Sequence, residues 1–118
     1  MTVEADIYNT VKTLVSNRVY PDLAPNNATM PYITYQQVGG EVVNYVETSV
    51  ADLKNGYFQI NVWCTTRAQA ASLILQIEQA IVQATAFSAK PLMAPIAGYD
   101  EDGLAYGMLQ QFSIWSSR

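Results

Sequence analysis

Residues 57–84 read YFQINVWCTTRAQAASLILQIEQAIVQA, and this stretch decides the fold. Its first nine residues alternate strictly. Phe58, Ile60, Val62 and Cys64 fall on one side of an extended chain, and Tyr57, Gln59, Asn61, Trp63 and Thr65 fall on the other. The period then changes from two to 3.6. Thr66 followed by Gln69 is a capping box, and Ala70, Leu73, Ile74, Ile77, Ile81 and Ala84 make one apolar stripe with Gln76, Gln79 and Gln83 outside it. A strand over 57–65 therefore runs straight into a helix over about 67–84. The helix stripe is expected to cover the strand face that carries Phe58, Ile60 and Val62.

Upstream, Val3, Ile7, Val11 and Leu14 are spaced for a first helix over residues 3–15. Thr2 is its expected N-cap, and Glu4 and Asp6 complement the helix dipole in the first turn. The proline- and asparagine-rich run 21–31 is a loop. Extended runs follow at 32–38 and 41–48, separated by Gly39-Gly40, which is either a tight turn or a bulge in a longer strand. Asn55-Gly56 reads as the next turn. Downstream, a hairpin is expected from about 89–98 back through 104–116, turning at Asp100-Glu101-Asp102-Gly103. Pro91 and Pro95 confine its first arm to a sheet edge, because neither donates to a ladder. Its second arm puts Met108, Phe112 and Ile114 on one face and Leu109, Gln111, Ser113 and Trp115 on the other. The fold class is α+β: a largely antiparallel sheet with two helices packed on one face, in the order helix–strands–helix–hairpin, as one domain over residues 1–118.

Composition narrows the function. Charged residues make up 14% of the chain, against about 25% in an average domain. A surface so poor in charge suits a protein partly covered by other subunits. The net charge is −4, and the six basic residues Lys12, Arg18, Lys54, Arg67, Lys90 and Arg118 form no run. Tight nucleic-acid binding draws on clustered cations that displace counterions from phosphate, so specific nucleic-acid binding is not expected, nor is binding to an anionic membrane. With no signal-peptide pattern and no apolar run of about 20 residues, the chain is expected in the cytoplasm. One Cys makes no internal disulfide, which fits the same compartment.

No catalytic constellation is legible. The chain has no His, no phosphate-cradling glycine loop and no serine in a nucleophile-elbow context. Cys64 ends the apolar side of its strand and reads as a buried small hydrophobe. The run from Asp100 bears a superficial likeness to a calcium loop, but its sixth position is Ala105 and its twelfth is Gln111, where Gly and Glu are required. It is a solvated turn. The expectation is therefore no enzyme activity, no catalytic residues, no cofactor and no metal. The eight Tyr lack interleaved cations, which favours packing and subunit contact over nucleobase stacking. Trp63 and Trp115 are the informative aromatics. Alternation sends both to the sheet face that the helices leave uncovered, among glutamine, asparagine and serine. Large rings in a polar strip are characteristic of protein–protein interfaces. The candidate subunit interface is Tyr57, Gln59, Asn61, Trp63, Gln111, Ser113 and Trp115.

In order, the chain presents a helix, Arg18-Val19-Tyr20-Pro21, a proline-rich loop, Pro31-Tyr32-Ile33-Thr34-Tyr35, a long loop, Phe58-Gln59-Ile60-Asn61-Val62-Trp63, an amphipathic helix and a final Phe112-Ser113-Ile114-Trp115. This pattern resembles, over nearly the whole chain, the tail-completion or tail-terminator proteins of long-tailed bacteriophages and prophages. It departs from the family at Gln110-Gln111, where an apolar residue and an acid are expected. The resemblance implies a structural virion protein of the phage tail, assembled in the bacterial host cytoplasm. It implies a homo-oligomeric ring, six subunits in number, that caps the head-proximal end of the tail tube, ends its growth and presents the head-joining surface. Its partners would be itself, the tail-tube protein and head-connector proteins. Two rival readings remain: a head-completion or connector adaptor protein, and a small cytoplasmic binding module or hydrolase unrelated to phage.

Overall fold

The computed structural model describes residues 2–42, 53–102 and 104–117. Helix α1 (Val3–Val11) opens the chain and tightens into a 3-10 turn at Lys12–Val15. It starts where Thr2 Oγ1 accepts the Ala5 N–H at 3.1 Å, which satisfies one of the donors a helix start leaves open. Strand β1 (Val19–Pro21), strand β2 (Tyr32–Gly39) and strand β3 (Leu53–Cys64) follow. Helix α2 (Arg67–Gln83) begins under the Thr66 cap, whose Oγ1 accepts the Gln69 N–H at 3.2 Å. Strands β4 (Ser88–Pro91), β5 (Ile96–Asp100) and β6 (Ala105–Ser117) complete the chain.

The strands form one sheet in the order β1-β2-β3-β6-β4, with β5 also paired to β6. Only the β1–β2 pair is parallel. α2 packs on β3 and β6, and α1 packs on α2 and joins the same core. Val3, Ile7, Val11, Ala70, Leu73, Ile74, Ile77 and Ile81 are buried against Phe58, Ile60, Val62, Cys64, Phe112 and Ile114. The α+β class, the two helices and their shared stripe are therefore as the periodicity predicts. At the end of α1 the buried position is Val15, with Leu14 partly buried beside it.

Four local expectations need correction or completion. Asn55-Gly56 is not a turn. It lies within β3, paired with Trp115 and Ile114, so non-local ladder bonds override a local turn preference. The loop predicted over 21–31 yields its first residue to β1, which pairs Val19, Tyr20 and Pro21 with Ile33, Thr34 and Tyr35. The first hairpin arm is two short strands rather than one, interrupted at 92–95 between the two prolines. Around Gly39 a register irregularity between Gln37 and Gly39 makes this a bulge at the end of β2. Most of the run expected at 41–48 lies outside the described residues.

A parallel neighbour forces the chain to return to the end where it began. The segment after β1 therefore runs back along the sheet before β2 starts. Arg18 secures this return, its Nε donating to the Pro31 carbonyl at 2.9 Å, while Tyr20 and Tyr32 pack edge to face at 6.1 Å. The loop that results borders one end of the uncovered sheet face.

Candidate functional site

In a pleated sheet, paired residues share a face. The register therefore sorts the side chains in rows. On the side away from the helices, Tyr32 pairs with Trp63 and Trp63 with Gly107; Thr34 pairs with Asn61 and Asn61 with Leu109; Gln36 pairs with Gln59 and Gln59 with Gln111. Further along, Tyr57 pairs with Ser113 and Asn55 with Trp115. The seven candidate residues thus lie together on one open face, and the pleat assignment of both tryptophans holds.

Their accessibility differs. Tyr57, Gln59, Asn61, Trp63, Gln111 and Trp115 are half-buried. Ser113 is buried, and its Oγ accepts a hydrogen bond from Asn55 Nδ2 at 2.9 Å. The six-membered ring of Trp63 packs on Gly107: a Cβ built there would fall 2.7 Å from Trp63 Cζ3, so only a glycine lets the ring approach. Trp63 is therefore set into the face, and Trp115 is half-buried there as well. Gln59 Nε2 donates to Asn61 Oδ1 at 3.4 Å, and Asn61 Nδ2 donates to Thr34 Oγ1 at 3.3 Å. These long, half-wet bonds orient the amides while leaving polar atoms for other contacts.

Two features border this face. At one end the backbone N–H of Glu41 donates to Asn55 Oδ1 at 2.8 Å, and the Tyr57 hydroxyl donates to Glu41 Oε1 at 3.3 Å. At the other end, a groove of about 320 Å³ opens between residues Asp22–Ala24 and the sheet, lined by Tyr32, Asn61, Trp63 and Asp100. Burial raises the Tyr32 pKa, with the Asp100 charge and Tyr20 adding to the effect, so this ring stays protonated at neutral pH. The groove was invisible in the sequence because it joins a loop to two strands through the crossover after β1.

On the helix side the sequence reading missed Gln110. Its position alternates with Phe112 and Ile114, and it is wholly buried. Its Nε2 donates to Glu78 Oε1 at 2.7 Å and to the Met93 carbonyl at 2.9 Å. Met93 lies where the chain leaves the ladder between β4 and β5, so this amide supplies the donor that a strand neighbour would otherwise give. Gln110 Oε1 is a buried acceptor with no partner among the described atoms. Cys64 is wholly buried, and burial pushes its thiol pKa up, the opposite of what a nucleophilic cysteine needs. At the acidic turn, the Asp102 N–H donates to Asp100 Oδ1 at 3.1 Å, a local turn bond. Among the described residues no group of three His, Cys, Asp or Glu is placed to hold a metal, and no helix is long and apolar enough to cross a membrane.

Among known proteins, one family shares the chain's sequence pattern. A search of curated proteins returns no match. Among solved structures, one aligns over 98% of this chain and 90% of its own, at 12% identity and a TM-score of 0.49, a likeness too distant to carry an argument. The family model of the tail completion protein gp17 matches residues 8–117, nearly the whole chain. The chain accordingly belongs to the tail-completion gp17 family, structural proteins of phage tail assembly.

Proposed function

We propose that this protein forms a ring on the head-proximal end of the phage tail tube, where it ends tube growth and offers the surface to which the filled head joins. The observation that supports this reading best is the open sheet face. Trp63 and Trp115 sit there in a field of Gln59, Asn61 and Gln111, on the side that neither helix covers. A protein with two large rings half-buried in polar surroundings is well suited to recognise another protein surface. Membership of a tail-completion family supports a partner from the phage tail or head, and the ring reading takes it to be a second copy of the chain, the tail-tube protein or the head connector.

A ring of this kind passes DNA without holding it. The cations here fit that demand. Arg18 is committed to the Pro31 carbonyl, Arg67 to the carbonyls of Gly107 and Gly98, and Lys12 to the Tyr8 ring. Lys54 and Lys90 stand on opposite faces of the sheet, so the described cations form no cluster on which phosphate could gather. Labelled duplex should show no saturable shift in the low-micromolar range, whereas a tight complex that weakens steeply with salt would contradict the reading.

The decisive experiment is electron microscopy of tails assembled with and without the protein. Its omission should give overlong tails that fail to join heads, and labelled protein should appear at the head-proximal tube end. Label found on the portal of heads lacking tails would instead make it a head-side adaptor.

A further inference from the structure

We infer that the groove at the loop end of the open face receives the Lys90 side chain of a neighbouring copy of this chain. This rests on the ring reading above and names one contact within it. The groove has the chemistry of a cation site. Tyr32 and Trp63 supply aromatic lining, and two acids, Asp22 and Asp100, line it as well. A lysine ammonium held against aromatic faces and beside carboxylates gains from both. Neither acid has an ionic partner within the described chain, and Asp100 spends only one oxygen on its local turn.

The chain also carries a matching cation that nothing in the subunit uses. Lys90, on β4, pairs in register with Ser113, which puts it on the open face, and it is exposed. Arg18, Arg67 and Lys12 are occupied as described, and Lys54 pairs with Ser116 on the helix side. Among the described residues Lys90 is the one unpartnered cation on the open face. It cannot reach its own groove. Asp100 lies opposite Ala105 and Lys90 opposite Ser113, eight residues apart along β6, or roughly 27 Å at the rise of a strand. The groove is lined by β2, β3 and the loop after β1, with Asp100 added from β5, and Lys90 on β4 lies toward the far end of β6. A head-to-tail contact brings two such different patches of successive copies together, which is the repeat a closed ring needs.

The test combines charge exchange with cross-linking. Lys90→Glu and Asp100→Lys, each checked for native circular dichroism, should each weaken self-association by about tenfold or more, and the double exchange should restore it. Mixing Lys90→Cys with Asp100→Cys and adding a short bifunctional thiol-reactive cross-linker, able to span the length of the lysine it replaces, should give a covalent dimer that neither variant forms alone, Cys64 being buried. If the free protein is monomeric, the same cysteine pair is cross-linked on assembled tails. A folded Lys90→Glu variant that assembles as wild type does, or the lack of a 90–100 cross-link in assembled tails, overturns this contact and leaves the ring reading standing. Tails that carry no ring at all overturn both.

Discussion

Strands β3 and β6 present two faces built on the same backbone ladder, and their side chains behave differently. Toward the helices, Phe58, Ile60, Val62, Cys64, Phe112 and Ile114 are all at most 1% exposed. Away from them, Tyr57, Gln59, Asn61, Trp63, Gln111 and Trp115 stay half-buried, and long amide hydrogen bonds run from Gln59 to Asn61 and on to Thr34. The first face has no surface left to offer, so its residues act on stability. The second keeps surface and polar valence, so its residues are free to act on association. One strand can thus carry both the fold and the proposed function, because the pleat keeps the two sets of side chains apart.

The largest effect that would break this separation belongs to the core face. Ile77 is wholly buried in the α2 stripe. Ile77→Ala should cost about 2–5 kcal/mol in a denaturant titration, the usual range for a large-to-small core change. A loss below about 0.5 kcal/mol would mean that α2 does not cover the sheet.

Next comes the open face. Trp115→Ala should lower the stability of the folded chain less than Ile77→Ala, because the ring is only half-buried. At an interface, by contrast, such a ring contributes about 2 kcal/mol or more. In a ring the loss recurs at every contact, so tails made with the variant should be overlong or unjoined to heads. Normal tails from folded Trp115→Ala protein would remove this residue from the interface. A variant that unfolds would assign Trp115 to the core instead.

The helices, the stripe on α2 and the two-faced β3 and β6 were legible because each is written in local periodicity. What stayed hidden depends on distant partners. Asn55-Gly56 has the composition of a turn, yet its backbone pairs with Trp115-Ile114 some sixty residues away. Strand β1 is three residues long and exists through its parallel pairing with β2. All seven candidate surface residues do share one face, but no alternation pattern could show that Ser113 is consumed by Asn55 or that Trp63 rests on Gly107. The groove near Trp63 needed the crossover after β1, which is a matter of topology.

The adjacent glutamines of β6 give the finest test, because they share a residue type and differ in face. Gln110 points at the helices, is wholly buried and ties Glu78 of α2 to the Met93 carbonyl. Removing its amide leaves that carbonyl without its donor and opens a gap in the core, and its own unpartnered Oε1 means that part of the cost is already present in the wild type. Gln110→Ala should therefore cost about 1–3 kcal/mol, the price of stranding buried polar groups. Gln111 is one residue further, half-buried on the open face, with none of the side-chain hydrogen bonds that hold its neighbour. Gln111→Ala should change folding stability by no more than about 0.5 kcal/mol. Thermal or denaturant unfolding of the two variants side by side reads the difference directly. Equal losses would mean that Glu78 and Met93 find water as readily as they find Gln110, and that the two faces of β6 differ less in their demands than their burial suggests.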